Sequence, residues 1–164
     1  MFGKLFKAKK DTFTITAPIT GKAVPLTEVP DEAFAGGHMG RGIAIEPSVG
    51  KLIAPFDAVV AHVIHTNHAV ILEHASGLQL LVHIGINTVA MKGEGFKGHV
   101  QIGDEVKAGQ TLVEFDIEAI RAAGYPLITP VIIANEEESV AELEVLQGSV
   151  TAGQDPVIQA VLAK

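Results

Sequence analysis

The stretch from Thr66 to Gly85, TNHAVILEHASGLQLLVHIG, reads as a β-hairpin. Two apolar runs, Ala69–His74 and Gln79–Ile84, flank one short turn signal, Ala75-Ser76-Gly77. Aliphatic runs of this length bounded by Gly, Ser and Asn are strand-like. His68 stands just before the first run and His83 near the end of the second. The register of the hairpin decides whether they meet. A two-residue loop at Ala75-Ser76 sets His68 directly opposite His83, with Cβ atoms roughly 4.5–5.5 Å apart. A three-residue loop puts the two rings on opposite faces, because one step of register flips every side chain. The sequence leaves both open.

Working outward, short β-runs separated by turn signals recur along the chain. The expected strands are Phe13–Ala17, Gly42–Glu46, Lys51–Ala54, Val59–His65, Ala69–His74, Gln79–Ile84, Thr111–Asp116, Pro130–Ala134 and Val157–Val161. Two short helices are expected. Ile117–Ala123 follows the N-cap residue Asp116 and stops at Gly124, and Glu136–Glu142 follows Asn135. Two weak repeats suggest stacked units. Ile15-Thr16-Ala17-Pro18 echoes Leu52-Ile53-Ala54-Pro55, and Val106-Lys107-Ala108-Gly109-Gln110 echoes Val150-Thr151-Ala152-Gly153-Gln154. The fold class is therefore all-β, a sandwich of antiparallel sheets.

The 164 residues suit one domain, expected over 13–164, with no second domain or linker. Hydrophobic residues make up 48% and aromatics only 5%, so Val, Ile, Leu and Ala must build the core. The absence of cysteine excludes a disulfide framework and a thiolate zinc site, and fits a cytoplasmic location. A net charge of −7 argues against nucleic-acid binding and allows a basic protein partner. No run reaches the length of a membrane span. Residues 1–12 read as a mobile basic segment. It lacks the apolar core of a signal peptide, and Phe2, Leu5 and Phe6 at helical spacing allow at most peripheral membrane contact.

A neutral imidazole is a nucleophile near neutral pH and can carry a phosphoryl group on one nitrogen. Its other nitrogen must then be held, and a backbone carbonyl of the Gly85-Ile86 turn can do this for His83. A second imidazole, His68, can stabilise phosphate oxygens, more strongly if protonated. Thr66 lies two residues before His68; in an extended run the two share a face, and the hydroxyl can orient the ring. The bland alternative makes either histidine an ordinary strand residue. The same pair is a zinc candidate, but two imidazoles are half a tetrahedral site. Glu73 and Glu94 are the available third ligands, with no spacing that demands them.

Other features read as structural. His62 and His65 fall on opposite faces of a strand, His74 abuts the turn and is solvated, and His99 lies in a loop. The Gly-rich loop around His38 lacks the Lys-Ser/Thr of a P-loop and reads as a flexible turn. Ala90-Met91-Lys92 is similar to the tetrapeptide of biotin carrier domains. Gly93 replaces its second Met, so Met91 is packing and Lys92 surface. Glu136-Glu137-Glu138 is a solvated helix start.

Taken together, Ile15-Thr16-Ala17-Pro18, Gly42-Ile43-Ala44-Ile45, Ala54-Pro55, Thr66-Asn67-His68-Ala69, Val82-His83-Ile84-Gly85-Ile86, Lys92-Gly93-Glu94-Gly95-Phe96, Val113-Glu114-Phe115-Asp116 and Thr129-Pro130-Val131 carry a family likeness. From Phe13 to the C-terminus the chain resembles the glucose-type enzyme IIA of the bacterial phosphoenolpyruvate-dependent sugar phosphotransferase system. The resemblance implies a duplicated, barrel-sandwich hybrid β-sandwich with a shallow apolar active face. It implies that His83 accepts a phosphoryl group, on its tele nitrogen, from the histidine-containing phosphocarrier protein. His83 would then pass the group to a cysteine of a sugar permease's IIB domain. His68 would stabilise the phosphate and Thr66 would orient His68. No cofactor is required; zinc on His68 and His83, completed by a partner's carboxylate, is a carry-over from the family. Asp31, Ala33 and Phe34 match the segment that meets the phosphocarrier.

Two departures bear on docking. Family members often carry Asp where this chain has Asn87, which removes a rim charge. Arg41 replaces an acidic residue common between the glycines. They are the support for a competing reading, a non-catalytic regulator on the same fold that binds transporters or enzymes. A lysostaphin-type zinc peptidase is disfavoured, because Leu81 and Gly85 occupy the positions where a His-x-His pair would need its second histidine.

Overall fold

The computed structural model describes residues 12–163. Of the basic segment expected at residues 1–12, only Thr12 falls among them, and it opens a strand. The strands are β1 (Thr12–Thr16), β2 (Gly21–Pro25), β3 (Arg41–Pro47), β4 (Lys51–Ile53), β5 (Ala58–Val63), β6 (Ala69–Glu73) and β7 (Gln79–His83). They continue as β8 (Phe96–Gly98), β9 (Glu105–Val106), β10 (Thr111–Phe115), β11 (Thr129–Ile133), β12 (Val140–Val145), β13 (Gly148–Val150) and β14 (Pro156–Leu162). Among the described residues, the short helices are α1 (Glu32–Ala35), α2 (Ile117–Ala122) and α3 (Glu136–Ser139). An eight-stranded sheet runs β13-β2-β3-β11-β7-β6-β5-β9, and two three-stranded sheets run β1-β14-β12 and β4-β10-β8. Every strand pair is antiparallel. The all-β sandwich with short helices is the class expected.

Period-2 alternation sorts the large sheet into two apolar faces. Ile43, Ile45, Val70, Leu72, Leu80, Val82, Val131 and Ile133 point into the main core, which also takes residues from both small sheets. Ala44, Leu81 and Ile132 point the other way and meet Val29 and Phe34, with Ala69 and Ile71 partly covered. Strand β11 is buried along its whole length, so the sheet is covered on both sides at its centre. The covering ends beside β6 and β7, where the half-buried Ala69, Ile71 and His83 border open surface.

The repeats seen in sequence occupy matching places. The Ala17 carbonyl accepts from Gly153 N–H at 2.9 Å, and the Ala54 carbonyl accepts from Gly109 N–H at 2.8 Å. Each Ala-Pro step is thus clasped by the glycine turn of the other repeated motif.

The structure corrects several local expectations. Strands β2, β8, β9 and β13 are short or contain Gly, Lys and Pro, and show no alternation to read. The helix expected over Glu136–Glu142 ends at Ser139, and Val140 begins β12, paired with Leu162 of β14. Asn135 is not the side-chain cap of that helix. Its Oδ1 accepts from Gln79 N–H at 2.9 Å and its Nδ2 donates to the Gly77 carbonyl at 2.8 Å, clamping the hairpin turn. Asp116 does cap α2, accepting from Ala119 N–H at 3.0 Å. His74 is half-buried rather than solvated, its ring 4.3 Å from Phe13 and 5.3 Å from Phe56. Arg41 bonds to Glu136, which therefore does not stand as a solvated charge.

Candidate functional site

The hairpin adopts the three-residue loop. Glu73 pairs with Gln79, and His74 N–H donates to the Leu78 carbonyl at 2.9 Å. Gly77 takes the left-handed φ of 95° that such a loop needs. His83 therefore pairs with Ala69, not with His68. The rings are nevertheless neighbours, with centroids 5.0 Å apart and planes at 79°. The expectation of opposite faces fails because alternation holds only inside an extended run. Strand β5 ends at Val63, two residues short of the expected His65, and a turn closes when Asn67 N–H donates to the Ile64 carbonyl at 2.8 Å. Asn67 has φ 63°, so the chain enters β6 with His68 outside the strand. Its carbonyl accepts from Ile84 N–H at 2.7 Å, which docks it against the end of β7.

His83 ends β7 half-buried. Its Nδ1–H donates to the Gly85 carbonyl at 2.7 Å. A carbonyl only accepts, so the proton is on Nδ1 and Nε2 keeps its lone pair. Gly85 is held in turn. It has φ 71°, and a Cβ there would lie 2.7 Å from Thr88 Cγ2 and 2.9 Å from the Pro126 carbonyl oxygen. Its N–H donates to Thr129 Oγ1 at 3.3 Å, and Thr88 Oγ1 donates to the Ile84 carbonyl at 2.6 Å. Thr129 supports the site from a sequence-distant position, and Thr88 from four residues beyond Ile84. No local pattern announces Thr129, because its contact arises only when β11 pairs with β7.

His68 is 3% exposed, and its Nδ1 lies 2.7 Å from Thr66 Oγ1. The contact matches the expectation, though it forms across a turn rather than along a strand. Burial, then the neighbouring His83 and His65, pushes the His68 pKa down to about 4, so the ring is neutral at pH 7. If the Thr66 hydroxyl donates to Nδ1, the His68 proton is on Nε2. Burial also lowers the His83 pKa, opposed by the Gly85 carbonyl and by the charge of Asp31.

Of the expected docking residues, Phe34 and Asp31 stand near His83. Phe34 of α1 has its ring 5.2 Å from that of His83. Asp31 caps α1, accepting from Ala33 N–H at 3.0 Å. Asn87 is exposed, with φ 64°, and opens a 3-10 turn over Thr88–Met91. Phe96, on β8, stands 6.4 Å from His68. Glu73 and Glu94 do not join the histidines. Glu73 accepts from Gln79 Nε2 on the hairpin, and no group of three or more His, Cys, Asp or Glu residues able to hold a metal ion is found among the described residues. Among the described residues, the site thus offers a metal two imidazoles.

The arrangement is a nucleophile with one nitrogen pinned, beside a second, neutral imidazole, on an apolar face. It suits transfer of a compact anionic group between side chains. Comparison with known proteins points the same way. The model of the phosphoenolpyruvate-dependent sugar phosphotransferase system EIIA 1 family matches residues 13–139. The chain is 42% identical over 164 residues to a glucose-specific EIIA component from Oceanobacillus iheyensis, covering 98% of this chain and 99% of that one. It is 49% identical over 139 residues to a glucose-specific EIIBCA component from Corynebacterium glutamicum, covering 84% of this chain and 21% of that protein. The solved structure of glucose permease IIA from Mycoplasma capricolum superposes with a TM-score of 0.82 at 32% identity, covering 90% of this chain and 95% of that one. No helix among the described residues is long and apolar enough to cross a membrane.

Proposed function

The chain belongs to the EIIA 1 family of the phosphoenolpyruvate-dependent sugar phosphotransferase system, and from that premise we propose that it is a phosphocarrier working through His83. The histidine-containing phosphocarrier protein docks on the apolar face around Phe34 and Ala33, with Asp31 at its rim. His83 Nε2 attacks the phosphorus of the donor's phosphohistidine in line. The new P–N bond forms as the donor's P–N bond breaks, and the donor nitrogen recovers its lone pair. In the second transfer a cysteine thiolate of a IIB domain takes the phosphorus, and His83 Nε2 regains its lone pair. Fused EIIB and EIIA units in relatives such as the Corynebacterium protein favour a IIB partner.

The observation that carries this reading is the 2.7 Å bond from His83 Nδ1 to the Gly85 carbonyl. It fixes the tautomer, so the acceptor nitrogen needs no prior proton loss. His68 supplies Nε2–H to the phosphoryl oxygens, and Thr66 holds its ring. A phosphoryl dianion beside His68 also favours a proton on it, reversing the effect of burial. Positioning and charge stabilisation then carry the rate. A zinc ion on the same two imidazoles would take its remaining ligands from a docked partner, and no step of the relay uses it. One domain over 13–164 and a cytoplasmic location belong to the same reading.

The test is phosphotransfer from phosphoenolpyruvate through enzyme I and the phosphocarrier, read by intact mass. Wild type gains one phosphoryl group and His83→Ala gains none. His68→Ala is charged but passes the group to a IIB domain at least about a hundredfold more slowly, the usual loss when a transition-state donor is removed. An unmodified wild type with an active cognate phosphocarrier overturns the reading in favour of a non-catalytic regulator.

A further inference from the structure

We propose that Asn67, seated on the bare α-carbon of Gly98, is a positioning residue that sets where His68 stands relative to Thr66 and His83. The inference rests on the phosphocarrier reading for its activity readout, and on geometry alone for its structural one.

Asn67 lies between the hydroxyl that holds the ring and the ring itself. Its backbone is left-handed at φ 63°, a conformation that few residues other than Gly, Asn and Asp adopt readily. That turn breaks β5 from β6 and carries His68 to the end of β7. The carboxamide of Asn67 rests on β8. A Cβ built on Gly98 would lie 2.2 Å from Asn67 Oδ1, 2.7 Å from Cγ and 3.1 Å from Nδ2. Gly98 is not left-handed, so its backbone has no need of glycine. What excludes a side chain there is Asn67. The same three-residue strand presents Phe96, whose ring faces His68 at 6.4 Å and 68°.

His68 is thus held from two sheets. The large sheet reaches it through Ile84 N–H on its carbonyl. The small sheet β4-β10-β8 reaches it through Phe96 on its ring and through Gly98 under Asn67. The Asn67–Gly98 contact fixes the turn without touching either histidine. A methyl group on Gly98 would push the carboxamide away and drag the Thr66-His68 pair with it. Misplacements on the order of 1 Å are enough to cost transfer rates about a hundredfold.

The experiment compares Gly98→Ala, Asn67→Gly, Asn67→Asp and the double variant Gly98→Ala/Asn67→Gly. Imidazole 15N shifts of the unphosphorylated protein and the rates of both transfers are recorded. Gly98→Ala is expected to move the His68 ring shifts and leave those of His83 in place. It should slow donation to a IIB domain at least tenfold, with acceptance on His83 within about twofold of wild type. Asn67→Gly should move the same shifts and slow donation severalfold. Asn67→Asp, which keeps the shape and the left-handed preference, should retain both. In the Asn67→Gly background, Gly98→Ala should have no further effect. The proposal is overturned if the His68 shifts stay unchanged in Asn67→Gly, or if Gly98→Ala slows donation equally with and without the Asn67 side chain. Should Gly98→Ala fail to fold, Asn67→Gly against Asn67→Asp decides alone. A wild type that never accepts a phosphoryl group would sink the carrier reading and leave the ring shifts to judge this one.

Discussion

The Gly85 carbonyl oxygen lies 2.7 Å from Nδ1 of His83, two residues earlier in the chain. That one bond chooses the tautomer and so the nitrogen available for chemistry. It depends on a left-handed residue packed under a backbone oxygen, at a place where a Cβ would sit 2.9 Å from the Pro126 carbonyl. Gly85→Ala combines an unfavourable φ with that contact. It should cost about 1–3 kcal/mol in urea unfolding and should slow phosphoryl acceptance as the carbonyl swings off Nδ1. Unchanged acceptance in a destabilised Gly85→Ala protein would separate the bond from the chemistry.

Thr66→Val removes the oxygen 2.7 Å from His68 Nδ1 and leaves a buried ring nitrogen without that partner. An unsatisfied buried polar atom costs about 1–3 kcal/mol. Acceptance on His83 should survive while donation to a IIB domain falls, because His68 loses its orientation and its preferred proton site. Loss of both transfers in equal measure would make Thr66 a general stabiliser instead.

Acid should destabilise the protein through His68. Burial, with His83 and His65 adding to it, holds its pKa at about 4, against about 6.5 in an unfolded chain. Between those values the unfolded state binds a proton that the folded state refuses. Stability therefore rises with pH across the window and is lost as pH falls from 6.5 towards 4. Its slope in mid-window approaches about 1.4 kcal/mol per pH unit from this group. Denaturation at pH 7 and pH 4.5 should show wild type losing more stability than His68→Gln. Equal losses would contradict it.

Asn87 is exposed four residues after His83. Asn87→Asp should raise the association rate with a basic phosphocarrier surface at low salt and steepen its salt dependence, leaving dissociation nearly unchanged. Stopped-flow association at two ionic strengths reads this directly. A rate insensitive to the substitution would remove Asn87 from the docking surface.

The hairpin from Ala69 to Ile84 was legible because two aliphatic runs and a Ser-Gly turn both pointed to it. The paired Ala-Pro and Gly-Gln repeats were legible as well, and they clasp one another through Gly109 and Gly153. The meeting of His68 with His83 was not legible from register, since strand alternation says nothing of a residue that follows a left-handed Asn67. Asn135 looked like a helix cap, yet the nearby hairpin turn claims its amide. Strand β12 was hidden behind three glutamates that favour a helix start, and only pairing with β14 settles Val140 as extended. Thr129 and Gly98 act on residues far away in the chain, so no window of sequence contains both members of those contacts.

His83 is proposed to accept the phosphoryl group on Nε2. The most direct measurement is a long-range 1H–15N spectrum of 15N-histidine protein before and after charging by phosphoenolpyruvate, enzyme I and the phosphocarrier. The expected result is a shift at Nε2 of His83, a proton retained on Nδ1 of the same ring, and a His68 Nε2–H hydrogen-bonded to the phosphate. Phosphorylation at Nδ1 of His83, or on any other histidine, would contradict it.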